Sequence, residues 1–268
     1  MNGGNPLKDI ISRVEYEFYK EEDPPEDILK NFDDKLTQYQ SWVTTPLTEK
    51  SLLMPLFEAV ETNRNPHIEQ SLLRHGAARN NYICLFGAQR KIPYYTSLLY
   101  GSPLGCLINN SPSIMLSTRN KERIEAMLPY VEDIDQGIYI KGKHLSPLAH
   151  VALYCDINLY LSSVNEFDDP TIFYARQYAA IAALLIIRGA SKERALWELE
   201  NNKEIFKFDN VYCPFFSLFS SPTQAAIDFL NSEILNKETK REVCKQWKNA
   251  KSKNIFHYVQ ARQRRSVR

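Results

Sequence analysis

The sequence predicts an all-α protein, and three observations support this prediction. Apolar residues recur at helical spacing along much of the chain, beginning with Leu7, Ile10, Ile11 and Val14. Only 9 of the 268 residues are glycine, and the alternating pattern of a β-sandwich or barrel is missing. Short helical units that begin with a proline return several times. A hydrophobic content of 44% is sufficient for a sizeable core.

The first 44 residues are predicted to form an N-terminal helical hairpin. Apolar residues at helical spacing place one helix over residues 7–19 and a second over residues 26–42. Asp23-Pro24-Pro25 separates the two helices, and Thr44-Thr45-Pro46 precedes the next region. We therefore assign residues 1–44 to the hairpin and residues 45–238 to the central region.

The central region contains helical units of a recurring kind. The clearest unit begins at Met54-Pro55-Leu56 and ends with the run LLRHGA at residues 72–77. Pro55 can begin a helix without losing a needed hydrogen bond. Gly76 can adopt the positive φ that ends a helix. We expect a second, antiparallel helix to follow the first in each unit.

Three further units begin at Pro103, Pro147 and Pro214. The Pro103 unit is predicted to have its second helix at residues 122–131, with an irregular end at Pro129. The Pro147 unit closes with Arg188-Gly189-Ala190, which predicts a positive φ at Gly189. Residues 79–101 are interpreted as a degenerate copy of the unit, lying between the first two units.

These units resemble the ankyrin repeat, which opens with a Thr-Pro-Leu-His-like start and closes with Leu-Leu-x-x-Gly-Ala. The resemblance covers residues 45–235 and implies an ankyrin-like helical solenoid, in which units stack on their neighbours. The spacings of 48, 44 and 67 residues between the four prolines exceed the family period of about 33, so insertions are expected near residues 154–172 and 191–210. The alternative is an irregular helical domain in which the matches arose by chance.

Charge is segregated to the two ends, although the net charge is only +1. Residues 15–34 hold nine acidic residues against Lys20 and Lys30, and residues 240–268 hold ten Lys or Arg against Glu242 alone. We predict a basic C-terminal helix or tail at residues 239–268, distant from the acidic hairpin. Its candidate anion-binding residues are Lys248, Lys251, Lys253, Arg262, Arg264 and Arg265. Nucleic acid and anionic lipid are the alternatives for its partner, and a solvated face is the simpler interpretation.

Motifs for catalysis or metal binding are missing from the sequence. It has no Walker loop, GxGxxG, HExxH or GxSxG, and we predict no cofactor, metal or catalytic residue. The five cysteines are scattered and never spaced as CxxC, which favours reduced thiols and a cytoplasmic location. The apolar run at residues 178–187 is about half the length that spans a bilayer. A Cys/His-dependent hydrolase or transferase remains the alternative, with Cys84, Cys106, Cys155 or Cys213 beside His75, His144 or His150.

The resemblance implies a scaffold that binds a protein partner. In ankyrin-like proteins the first helices and the fingers that precede them line a concave surface, and aromatic side chains there make interface anchors. The candidate partner-binding residues are Phe57, Glu58, Glu61, His150 and Phe216. An Asn- and Lys-rich, irregular ankyrin-like chain of this sort also looks like the ankyrin proteins that intracellular bacteria deliver into host cells. This likeness implies a host protein as the partner and the host cytosol as a location.

Overall fold

The chain is mostly helical in the computed structural model. The structure describes residues 5–18, 26–45, 55–62, 66–77, 82–84, 99–110, 120–140, 143–155, 170–202 and 222–266. Eleven α-helices lie in these ranges: α1 (Leu7–Phe18), α2 (Glu26–Gln38), α3 (Pro55–Thr62), α4 (Pro66–Arg74), α5 (Pro103–Asn110), α6 (Asn120–Met127), α7 (Pro147–Tyr154), α8 (Pro170–Ile187), α9 (Lys192–Asn201), α10 (Pro222–Asn231) and α11 (Glu233–Ser266). The same ranges contain four strands: β1 (Tyr82–Cys84), β2 (Leu99–Gly101), β3 (Ile138–Ile140) and β4 (Lys143–Leu145).

Three of the four predicted helix starts are confirmed, at Pro55, Pro103 and Pro147. Pro214, the fourth, lies outside the described residues. A serine precedes two of these prolines and caps the helix, because the Ser102 and Ser146 hydroxyl oxygens accept hydrogen bonds from backbone N–H groups three residues later. The two starts therefore share one local geometry.

The predicted helix ends are confirmed at Gly76 and Gly189, which have φ of 85° and 96°. Each glycine N–H donates to the carbonyl three residues earlier, and each following alanine N–H donates to the carbonyl five residues earlier. This pair of bonds satisfies carbonyls that the last turn would leave without partners. Two segments 113 residues apart thus end in the same way.

The helices contact one another in two series. In one series α1 contacts α3, α3 contacts α5, α5 contacts α7 and α7 contacts α10. In the other, α2 contacts α4, α4 contacts α6, α6 contacts α8 and α8 contacts α11. Sequential partners also meet across the two series, as in α3 with α4 and α7 with α8. Helix α9, which lies in a predicted insertion, packs against α7 and α10.

The most deeply buried segment of the core is the middle of α8. Every residue from Tyr178 to Leu185 is buried, which agrees with the apolar character of this stretch on all sides. Its alanines let α7 and α11 approach closely, and both helices contact it. Within the described residues, no helix combines the length and apolar character needed to cross a membrane.

A buried ion pair joins α4 to α6. Glu69 and Arg123 are both fully buried, and Arg123 Nε lies 2.9 Å from Glu69 Oε1. The same guanidinium donates to the Val60 carbonyl at 2.9 Å. Burial raises the pKa of Glu69, and the charge and hydrogen bond of Arg123 oppose that rise. Replacing either residue alone should therefore be strongly destabilising, since the remaining charge would be buried without a partner.

The strands form a small antiparallel sheet in the order β1-β2-β3-β4, which the all-α prediction did not include. Strands β1 and β2 lie in residues 79–101, which we interpreted as a degenerate helical copy, and that interpretation is wrong for Leu99–Gly101. Strand β3 packs close to α5, because a Cβ placed on Gly105 would lie 2.7 Å from the carbonyl carbon of Gly137. A Cβ on Gly137 would lie 1.8 Å from the carbonyl oxygen of Leu145. Both positions therefore require glycine.

Candidate functional site

A hydrogen-bond network centred on Glu198 joins the β3–β4 hairpin to α7 and α9. Glu198 Oε1 lies 2.6 Å from His144 Nδ1 and 3.1 Å from Arg194 Nε. Glu198 Oε2 accepts a hydrogen bond of 2.7 Å from the backbone N–H of Ser146. One carboxylate thus holds the end of the hairpin, the first residue before α7 and a neighbouring side chain of α9.

Local sequence determines how α9 brings these groups together. Ser191 caps the helix by accepting from the Arg194 N–H at 3.1 Å, and the Ser191 N–H donates to Asp135 Oδ1 at 2.9 Å. The helix start is therefore tied to the loop before β3. Arg194 and Glu198 are four residues apart, so both lie on one face of α9.

Glu198 is an anion held at the start of a helix. Burial alone would raise its pKa, but the hydrogen bonds from His144 and Ser146 and the proximity of His144 outweigh that effect, and the pKa lies below its ordinary value of 4.5. Because Ser146 directly precedes α7, the carboxylate also interacts favourably with the positive end of that helix dipole. The network is therefore stabilising while Glu198 is ionised.

His144 has a positioning role in this network. Its Nδ1 faces Glu198, and its Nε2 accepts a hydrogen bond of 3.2 Å from the Gly137 N–H. A general base needs a ring nitrogen that can reach a substrate proton. Since both nitrogens of His144 already have partners, the ring fixes the hairpin and offers no accessible base.

Two large aromatic side chains lie exposed beside the network. Trp197 on α9 is 62% exposed, and Tyr139 on β3 is 43% exposed. The Tyr139 ring meets the His144 ring edge-on, with centroids 5.0 Å apart, and Arg194 Nη2 lies 3.3 Å from His144 Nδ1. Trp197 lies three residues beyond Arg194, on the neighbouring turn. We refer to Tyr139, His144, Arg194 and Trp197 as the hairpin surface.

Four of the five predicted partner-binding residues lie on helices that the structure describes. Phe57, Glu58 and Glu61 lie on α3, whose Phe57 and Glu61 side chains are outside the described part of the chain. Glu58 is half-buried, and this burial raises its pKa against the opposing charge of Lys8. Phe216 lies outside the described residues.

His150 has an unexpected location for a partner-binding residue. Its side chain is 1% exposed within α7, and burial lowers its pKa to about 3. A neutral, buried imidazole cannot contact a partner directly. The ankyrin resemblance places it near the concave surface because it lies on the first helix of the Pro147 unit, but that turn of α7 packs inward.

The predicted anion-binding residues all lie on α11. Lys248 is exposed, and Lys251, Lys253, Arg262, Arg264 and Arg265 occupy later turns of the same helix, where side chains are not described. The predicted basic C-terminal segment is therefore one continuous helix through Ser266.

The cysteines with described side chains favour packing over catalysis. Cys106 and Cys155 are buried thiols at 1% exposure, and Cys244 is an exposed thiol. The prediction of reduced cysteines is confirmed for these three. Cys213 lies outside the described residues, as does the Cys84 side chain. A buried thiol in an apolar core packs as a small hydrophobe and is closed to a substrate.

Neither a metal site nor similarity to a known protein adds to the description of this site. Within the described part of the chain, no group of three or more His, Cys, Asp or Glu residues is arranged to hold a metal ion. Comparison with models of protein families, with curated proteins and with solved structures found no match.

Proposed function

We propose that this chain is a stack of ankyrin-like helical units that binds a protein partner. The two serine-capped starts at Ser102 and Ser146 and the two matching ends at Gly76 and Gly189 support a repeated unit. The two series of neighbouring helix contacts support stacking, since repeat units bury their apolar faces against adjacent units. The β3–β4 hairpin directly precedes Pro147, which is where an ankyrin-like finger is expected.

The hairpin surface is the binding surface that we propose, and the exposure of Trp197 is the observation that carries this proposal. Trp, Tyr and Arg are the residues most often found at the energetic centre of a protein interface. A tryptophan that is 62% exposed leaves a large apolar area in water. The Glu198 network holds the neighbouring side chains in place, which reduces the entropy lost on binding.

The partner class that we propose is a protein of the host cell, on the basis of the resemblance to delivered bacterial ankyrin proteins. Phe57, Glu58, Glu61 and Phe216 remain proposed contacts of the same partner. Helix α3 contacts α5, and α5 contacts α7, so Phe57, Glu58 and Glu61 lie on the series of helices that includes α7.

The experiment compares two similarly exposed tryptophans. The wild-type chain and the variants Trp197→Ala and Trp247→Ala are immobilised, and proteins captured from host-cell lysate are quantified by mass spectrometry. Trp247 is the matched control, because it is 67% exposed but lies on α11. We expect a specific partner to be lost with Trp197→Ala and retained with Trp247→Ala.

The affinity of the captured partner gives the second measurement. Truncation of a central interface tryptophan costs about 2 kcal/mol or more, so Kd should rise roughly thirty-fold for Trp197→Ala. Thermal unfolding should be nearly unchanged, because the side chain is mostly exposed. Equal Kd values for the wild type and Trp197→Ala would exclude the hairpin surface as the binding site.

A further inference from the structure

Helix α11 changes its environment at Glu242. In its first turns Leu235, Glu238 and Glu242 are buried at spacings of three and four residues, which defines one packed face. Glu242 Oε1 lies 2.6 Å from Lys121 Nζ on α6. From Val243 to Asn249 every side chain is exposed. Seven consecutive residues cover about two full turns, so this stretch has no buried face. We refer to residues 243–266 as the projecting helix.

The projecting helix carries a high positive charge without internal compensation. Its sequence contains no Asp or Glu, and its basic residues are Lys245, Lys248, Lys251, Lys253, Arg262, Arg264 and Arg265. Its 24 residues extend over roughly 36 Å at 1.5 Å per residue. The acidic residues of α11, Glu233, Glu238 and Glu242, all precede it. A long polyanion therefore matches its charge and its shape.

We infer that the projecting helix binds the phosphate backbone of double-stranded DNA. Each duplex phosphate that meets a lysine or arginine releases counterions, which provides affinity independent of sequence. The major groove of B-form DNA is wide enough to admit an α-helix, whereas that of A-form RNA is too narrow. A single helix that leaves the body of the protein can lie along or within such a groove.

A membrane surface fits the projecting helix less well than DNA does. Helices that lie on a bilayer separate a strongly apolar face from a polar face. Over residues 243–249 the exposed side chains are mostly polar, and Val243 and Trp247 are the two large apolar ones among them. Val243 and Trp247 are exposed and four residues apart, but Cys244, Lys245 and Lys248 are exposed around them. Positive charge without an apolar face favours phosphates over acyl chains.

The test measures the binding of the full chain to a fluorescein-labelled 20-base-pair DNA duplex by fluorescence anisotropy over a series of salt concentrations. The variant is K245Q/K248Q, and the matched control is K35Q/K143Q, which also removes two exposed lysines but from the body of the protein. At about 0.1 M salt, each lost phosphate contact should reduce affinity roughly eight-fold. The slope of log K against log salt should become shallower by about 1.8 for K245Q/K248Q. The control should bind as the wild type does.

Circular dichroism should show that both variants keep their helices, since all four lysines are exposed. Equal affinity of the wild type and K245Q/K248Q for DNA would overturn the inference. So would binding to phosphatidylserine vesicles without binding to DNA, which would assign the projecting helix to a membrane surface. Tighter binding to an RNA duplex than to DNA would also contradict it, because the groove argument requires B-form geometry.

Discussion

Helices α8 and α11 are the two longest helices in the described part of the chain, and they have opposite environments. In α8 eight consecutive residues, from Tyr178 to Leu185, are buried. In α11 seven consecutive residues, from Val243 to Asn249, are exposed. The buried stretch of α8 is apolar on every side, whereas the exposed stretch of α11 is mostly polar and carries Lys245 and Lys248. Composition therefore agrees with the location of each stretch.

The largest expected effect is at Leu185 in α8, which is fully buried. Leu185→Ala should lower the free energy of unfolding by about 2–5 kcal/mol, because it leaves a cavity that the packed neighbours cannot fill. Trp247→Ala on α11 removes a larger side chain, but an exposed one. It should change the free energy of unfolding by about 0.5 kcal/mol or less. Urea denaturation measures both. A similar loss for the two variants would contradict the contrast between the helices.

Acid should act on carboxylates in the body of the protein, because the projecting helix contains no Asp or Glu. The folded-state pKa of Glu198 lies below 4.5, so its stabilisation is present at pH values above about 4.5 and is lost as the pH falls through the folded pKa. At pH 7, Glu198→Gln should cost about 1–3 kcal/mol, because it weakens the hydrogen bonds with His144 and Ser146.

Urea denaturation at pH 7, 4.5 and 3 measures this dependence. The difference in the free energy of unfolding between the wild type and Glu198→Gln should shrink as the pH falls. Protonation of Glu198 removes from the wild type the same charge that the substitution removes. A difference that grows on acidification would show that the carboxylate is not held in its ionised form.

The smallest expected effect is at the point where α11 leaves the body. Glu242→Gln weakens the bond to Lys121 and should cost about 1 kcal/mol, since Glu242 is buried and Lys121 is partly exposed. Glu233→Gln is the matched control, because Glu233 is 88% exposed and its pairing with Lys237 is a surface contact. Urea midpoints measure both variants. If Glu233→Gln costs as much as Glu242→Gln, the boundary of the projecting helix is misplaced.

The sequence predicted the features that depend on local backbone rules. Pro55, Pro103 and Pro147 begin helices because proline presets φ, and Gly76 and Gly189 end them because glycine accepts a positive φ. The mostly helical fold also follows from composition and spacing. The ankyrin-like form required interpretation of irregular repeats, and it stays a proposal.

The features that the sequence did not predict depend on residues far apart in the chain. Strand β2 pairs with β3 through only two residue pairs, Tyr100 with Tyr139 and Gly101 with Ile138, and strands of three residues carry almost no periodic signal. Glu198 and His144 are 54 residues apart, so their contact has no local signature. The exposure of Trp197 likewise depends on how α9 packs, since a tryptophan in a helical pattern is usually assigned to the core.

The buried pair of Glu69 and Arg123 links the timing of folding to the length of chain that has been made. Arg123 follows Glu69 by 54 residues, so during synthesis at roughly 5–20 residues per second its codon is reached about 3–11 s later. Until then the carboxylate of Glu69 has no guanidinium to meet it and stays hydrated, which keeps α4 from burying that face. We therefore expect the first helical units of a nascent chain to reach their final packing only after α6 has been made.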